Sequence, residues 1–225
     1  MIRAFVQARM TSSRFPGKVL APFRGVPLIR HVLRAVQGVS RLDSIVVATS
    51  TDEADDPLVA YLDTLSVTVF RGPLANVFER FRLCALQFPC EWILRVNADS
   101  PLWSAHVGQA VIDRASAEDC DLVTTIFPRT FPQGQNAELI RVSAFTAIDP
   151  ATLSPHEQEH VTQVYYRHPT RYRIVNVESG KAELATCSLA VDTIDDLRRL
   201  ENLPDGEIAL TSSYDAPADG KAKVR

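Results

Sequence analysis

The stretch MIRAFVQARMTSSRFPGKVL (residues 1–20) runs an apolar segment straight into a basic, hydroxyl-rich loop. Ile2 to Ala8 reads as a buried strand, and Arg9, Ser12, Ser13, Arg14 and Lys18 crowd the loop behind it. Cationic side chains, hydroxyls and backbone amides are what a triphosphate needs for charge neutralisation and orientation. Gly17, after Pro16, allows the backbone to come close. A basic solvated loop with a Pro-Gly turn accounts for the same residues taken alone. The loop matches neither GxxxxGK[ST] nor GxGxxG.

Working outward, the polar loop extends to Val26. Pro27 suits the first turn of a helix whose apolar residues, Leu28, Val32, Leu33 and Val36, recur at helical spacing. SIVVATS (44–50) is a near-continuous apolar strand, typical of a sheet covered on both faces. DDPLVAYLDTL (55–65) reads as a helix and VTVFR (67–71) as a third strand. NVFERFRLCALQF (76–88) reads as a helix with Asn76 as N-cap and Phe78, Phe81, Leu83 and Leu86 as core. EWILRVNADSPL (91–102) holds a fourth strand ending in an acidic turn. Strand and helix alternate, which predicts an α/β fold with a mostly parallel sheet and helices on both faces. In such sheets ligands sit beyond the carboxyl ends of strands, so the Arg9 loop and the Asp99 turn can share one crevice.

The second half is less regular. Strands are expected at 121–127, 137–142, 172–177 and 186–193, with a Pro/Gly-rich connection at 127–136. One helix is expected over 154–169, begun near Pro155 and ended before Pro169, and a closing helix over 194–203. The reading is one domain over residues 1–203 and a mobile tail over 204–225, where apolar periodicity is absent.

With 225 residues, 46% of them hydrophobic, the chain can build one sizeable core. A net charge of −3 gives little support to a broad nucleic-acid surface. Cys84, Cys90, Cys120 and Cys187 show no CxxC spacing, which fits reduced thiols better than a disulfide framework or a zinc site. Residues 1–8 are too short, and too soon followed by Arg9, for a signal peptide. No apolar run approaches the ~20 residues of a membrane span. The expectation is a cytoplasmic protein that binds neither membrane nor nucleic acid.

QARMTSSRFPGKVL (7–20) resembles the N-terminal signature of the cytidylyltransferase family. That family includes the CMP-Kdo synthetases, the acylneuraminate cytidylyltransferases and, most similar, the spore coat polysaccharide biosynthesis protein F group. The resemblance continues in order through DSIVVATSTDEADDPL (43–58), VFRG (69–72), NVFERF (76–81), RVNADSPL (95–102), EHVTQVYYRHP (159–169) and AVDTIDDL (190–197). It implies a nucleotide-diphospho-sugar transferase-like, GT-A-like fold. It also implies Mg²⁺-dependent transfer of CMP from CTP to a sugar, sugar acid or phosphate-bearing acceptor, with pyrophosphate released. Such proteins act in surface polysaccharide or glycoconjugate synthesis and are usually homodimers.

Mapped onto this chain, the resemblance makes Arg9, Ser12, Ser13, Arg14 and Lys18 the triphosphate grip and puts the backbone of Gln7 and Ala8 near the cytosine. Asn76 and Arg80 look like part of the nucleotide pocket; a helix cap and a surface arginine are the other readings. Asp99 and Asp192 look like the metal carboxylates, with Arg9, Lys18 and Asp99 carrying the chemistry. Taken alone, Asp99 also suits a turn before Ser-Pro, and Asp192 or Thr193 an N-cap of the closing helix, with Asp195 in its first turn. Arg95, Glu138 and His160 are the candidates for the acceptor, with Thr162 beside His160 on the same segment. Arg95 could equally be a surface strand residue, and His160 structural.

Ala98 and Ser100 stand where relatives often have Gly and Cys, and QGQNAE (133–138) replaces a more acidic loop, which bears on the acceptor. Three rival readings share the pattern: another nucleotidyltransferase using a different base, a GT-A glycosyltransferase with Asn97–Asp99 as a degenerate DxD, and a nucleotide-binding subunit without activity.

Overall fold

In the computed structural model, which describes residues 1–204, β1 (Ile2–Gln7) forms the spine of a seven-stranded sheet. It pairs in parallel with β4 (Ser44–Ser50) on one side and β6 (Trp92–Asn97) on the other. β5 (Thr68–Gly72) extends the sheet beyond β4. β8 (Glu138–Arg141) runs antiparallel to both β6 and β7 (Leu122–Thr124), and β9 (Ile174–Asn176) closes the edge in parallel to β7. The order is β5-β4-β1-β6-β8-β7-β9, and only β8 is reversed. A small hairpin of β2 (Pro22–Phe23) and β3 (Val26–Pro27) lies within the expected loop. The chain leaves β1 first toward β4 and later toward β6, so the order switches direction at β1/β6, where α/β sheets open a crevice.

Alternation along the strands fills a core on each face. Ala4, Val6, Leu94 and Val96 pack with α1 (Leu28–Gln37), α4 (Ala105–Ala117) and α8 (Ile194–Glu201). Phe5, Val46 and Ile93 pack on the other face with α3 (Val77–Gln87), α5 (Val142–Thr146) and α7 (Gln163–Arg167). Between β4 and β5, α2 (Asp56–Thr64) carries Pro57 in its first turn, where its missing N–H costs nothing. The expected fold class is therefore the observed one.

Several local expectations fail for identifiable reasons. The single helix over 154–169 is two short ones, α6 (Pro155–Glu159) and α7, because His160 leaves helical geometry and Val161 turns into the core. Residues 186–193 form no sheet strand. Their N–H groups pair with loops instead, Leu189 with the Gln133 carbonyl and Val191 with the Asp99 carbonyl. Helix α4 fills a stretch to which the sequence reading assigned nothing, and Leu86 faces solvent. The expected tail lies, from residue 205 onward, outside the described residues.

Candidate active site

A cavity of about 390 Å³ opens at the β1/β6 switch point. Its walls bring together Gln7, Ala8, Arg9, Ser12, Ser13, Arg14, Lys18, Arg95, Asp99, His160 and Asp192. Val19, Val77, Asn97 and Glu159 complete it.

Lys18 is the centre. Its 3₁₀ turn (Lys18–Leu20) follows Gly17, which holds a left-handed φ of 75°. The side chain is only 11% exposed. Nζ donates to Asp99 Oδ2 at 3.0 Å, to Asp192 Oδ1 at 3.2 Å and to the Val191 carbonyl at 2.7 Å. Arg14 Nη2 lies 3.0 Å from the other Asp192 oxygen. Asp99 arrives on the turn after β6, and the backbone bond from Val191 to Asp99 lashes the Asp192 segment to that turn.

Gly134 makes this approach possible. Its φ is 97°, and a Cβ there would meet the Leu189 backbone at 2.6 Å. Asp192 does not cap α8: Thr193 accepts from Asp196 N, and Asp196 returns to the Thr193 backbone. Both Asp192 oxygens therefore face cations in the cavity.

Arg95 reaches the cavity from β6. Its Nε and Nη2 donate to Gln7 Oε1 at 3.3 and 2.8 Å, and Nη1 pairs closely with Glu138. Glu138 itself is 1% exposed and does not line the cavity; it also accepts from Thr162 Oγ1 and the Tyr166 hydroxyl. The structure thus places Glu138 and Thr162 behind Arg95. Tyr166, which the sequence reading did not single out, has its hydroxyl pushed well above the ordinary phenol value by burial and by Glu138.

Glu159, also not singled out, faces Arg9 Nη2 at 3.5 Å. Beside it the His160 imidazole is held below its ordinary value by burial and by His156, whose ring centroid is 4.5 Å away. Both effects favour its neutral form.

Asn76 and Arg80 do not line the cavity. The Asn76 side chain caps α3, accepting from Glu79 N at 2.9 Å. Arg80 is wholly buried, and its three guanidinium nitrogens have no hydrogen-bond partner among the described residues. Burial, with Arg9 nearby, lowers it to about 10, while Asp55 pulls the other way. The QGQNAE segment turns out to brace the turn beyond Asp99. Gln135 bonds Leu102 O and Ser104 N, and the Asn136 carbonyl accepts from the Trp103 indole.

This sheet order is that of the nucleotide-diphospho-sugar transferase-like fold, with the basic, two-carboxylate cleft at its switch point. Residues 4–209 match the cytidylyltransferase family, and the chain belongs to it. The spore coat polysaccharide biosynthesis protein SpsF of Bacillus subtilis is 29% identical over 204 residues, which span 88% of this chain and 84% of that protein. A cytidylyltransferase from Leptospira borgpetersenii has the same fold, with TM-score 0.84 and 24% identity over 89% of this chain and 84% of its own. A CMP:2-keto-3-deoxy-manno-octonic acid synthetase solved with CTP has TM-score 0.68 and 16% identity over 92% of this chain and 99% of its own. Among the described residues no helix is long and apolar enough to cross a membrane.

Proposed function

We propose that the protein transfers CMP from CTP to a sugar, sugar acid or phosphate-bearing acceptor and releases pyrophosphate. The observation that carries this is Lys18 held between Asp99 and Asp192 at the mouth of the phosphate loop. Arg9, Arg14 and Lys18 neutralise the triphosphate, and the Ser12 and Ser13 hydroxyls orient it. Gln7 and Ala8 lie where their backbone meets the base. Arg80, buried and with no acceptor among the described residues, does not touch the nucleotide but adds positive charge near Arg9.

Two converging carboxylates form an all-oxygen donor set that already gathers a cation, Lys18 Nζ. Mg²⁺ is commonly held by one or two carboxylates plus substrate phosphates. Asp99 and Asp192 fit that role. When bound there, Mg²⁺ would shield phosphate charge and favour departure of pyrophosphate.

The chain's own contribution is positioning and electrostatic stabilisation. Lys18 and Arg14 follow the charge that develops on the leaving phosphates. Arg95, His160 and Glu159 line the side from which an acceptor oxygen can approach the α-phosphorus in line. The resemblance also carries a homodimer into this proposal, and the cysteine pattern of the sequence a cytoplasmic location.

The test is pyrophosphate release with each of the four nucleoside triphosphates, with Mg²⁺, against a panel of sugar acids, sugar phosphates and phosphonates. CTP-dependent release with one acceptor class is expected. A purine preference would overturn the cytidylyl assignment.

A further inference from the structure

Asp55 belongs to no role described above and does not line the cavity, yet it is wholly buried. It sits at the start of α2, just after β4. Oδ1 accepts from Met10 N at 2.6 Å. Oδ2 accepts from Ser50 N at 2.9 Å and from the Thr49 and Ser50 hydroxyls at 2.8 and 2.5 Å. One carboxylate therefore joins two backbone N–H groups, one beyond the end of β1 and one at the end of β4.

Met10 is the neck of the phosphate loop. Its carbonyl accepts from Ser12 N at 3.0 Å and from Gly17 N at 2.8 Å, and Gly17 directly precedes Lys18. The far side is braced as well. Arg71 on β5 donates Nε to Ser50 O and Nη2 to Asp52 O, each at 2.8 Å, and its Nη1 lies 2.6 Å from Asp56.

We propose that Asp55 is a positioning residue that clamps the neck of the 10–17 loop to the end of β4 and so aims Arg14 and Lys18 at the triphosphate. Its effect on nucleotide affinity rests on the CTP reading; the clamp itself does not. Carboxylates hold the tips of Arg9, Arg14 and Lys18, and the fixed neck holds the backbone from which Arg14 and Lys18 reach them. Asparagine cannot replace the carboxylate, because it has one acceptor oxygen. Turned toward Met10, its NH₂ would face the Ser50 N–H, and turned about it would face the Met10 N–H. Burial alone would push this carboxyl up, but bonds from Met10, Ser50 and Thr49 hold it below its ordinary range, so it stays ionised.

The experiment compares wild type, Asp55→Asn and Thr49→Val by residue-resolved amide hydrogen exchange without nucleotide, and by calorimetric titration with Mg·CTP. In wild type, the Met10 and Gly17 amides should exchange slowly. Asp55→Asn should speed exchange across residues 10–18 by about tenfold or more while β6 and α4 keep their protection. It should also weaken CTP about tenfold, the size of one charge-assisted bond. Thr49→Val, which removes a donor to Oδ2 but leaves both backbone bonds, should leave the loop protected.

A fast Met10 amide in wild type overturns the clamp even if Asp55→Asn fails to fold. Equal acceleration across the whole sheet in Asp55→Asn also overturns it, as does an unchanged loop. Failure of wild type to bind CTP would sink the nucleotide reading and leave the exchange result to judge Asp55.

Discussion

Lys18 Nζ lies 3.0 Å from Asp99 Oδ2 and 3.2 Å from Asp192 Oδ1, so one ammonium joins carboxylates from the two halves of the chain. Lys18→Met keeps the side-chain length and removes the charge. It leaves two carboxylates facing each other at a site less than a third exposed. We expect CTP affinity or turnover to fall at least about tenfold, since a hydrogen bond to a charged group is worth roughly 1.5–3 kcal/mol. Titration calorimetry and steady-state kinetics check it, and wild-type behaviour would mean that the loop does not hold phosphate.

Asp192 and its neighbour separate a ligand role from a capping role. Thr193 caps α8, and Asp192 does not. Asp192→Asn should therefore keep the unfolding midpoint and lose Mg²⁺-dependent turnover. Thr193→Ala should lose about 1 kcal/mol of stability and keep turnover. Denaturant titration beside a pyrophosphate assay reads both, and the reverse pattern would restore Asp192 as a helix signal.

Arg80 is a buried charge without a hydrogen-bond partner among the described residues, and such charges are costly. Arg80→Met, close in volume, should stabilise the nucleotide-free protein by about 1 kcal/mol or more, by analogy with buried ion groups replaced by apolar ones. The same variant should bind CTP more weakly. Loss of stability together with unchanged CTP affinity would show that Arg80 is structural.

Asp55 also sets an acid response. Its folded carboxyl lies below the ordinary value, so its contribution is complete above that value and is lost as pH falls through the folded one. Wild-type stability should therefore drop below about pH 4, while Asp55→Asn, which lacks this titration, should show a flatter profile there. Urea midpoints across that range give the measurement, and parallel profiles would remove Asp55 from the acid response.

The strand-to-loop junction at residues 1–20 and the βα alternation after it are local patterns. The sequence by itself therefore determined the parallel βα half of the sheet through β6 and a basic loop at the end of β1. Asn76 as a cap was legible for the same reason, since a cap acts within one helical turn.

Asp192 was legible only as a choice between cap and ligand. The tertiary structure removed the cap, which Thr193 provides, and turned Asp192 into the cavity through the Val191–Asp99 backbone bond and the close approach that Gly134 permits. Glu138 behind Arg95, Glu159 against Arg9, and Asp55 holding Met10 join residues far apart in the chain. No period or spacing encodes such contacts. They exist because folding buries a charge or a backbone N–H that must then find a partner, and which partner is near depends on how the strands are ordered.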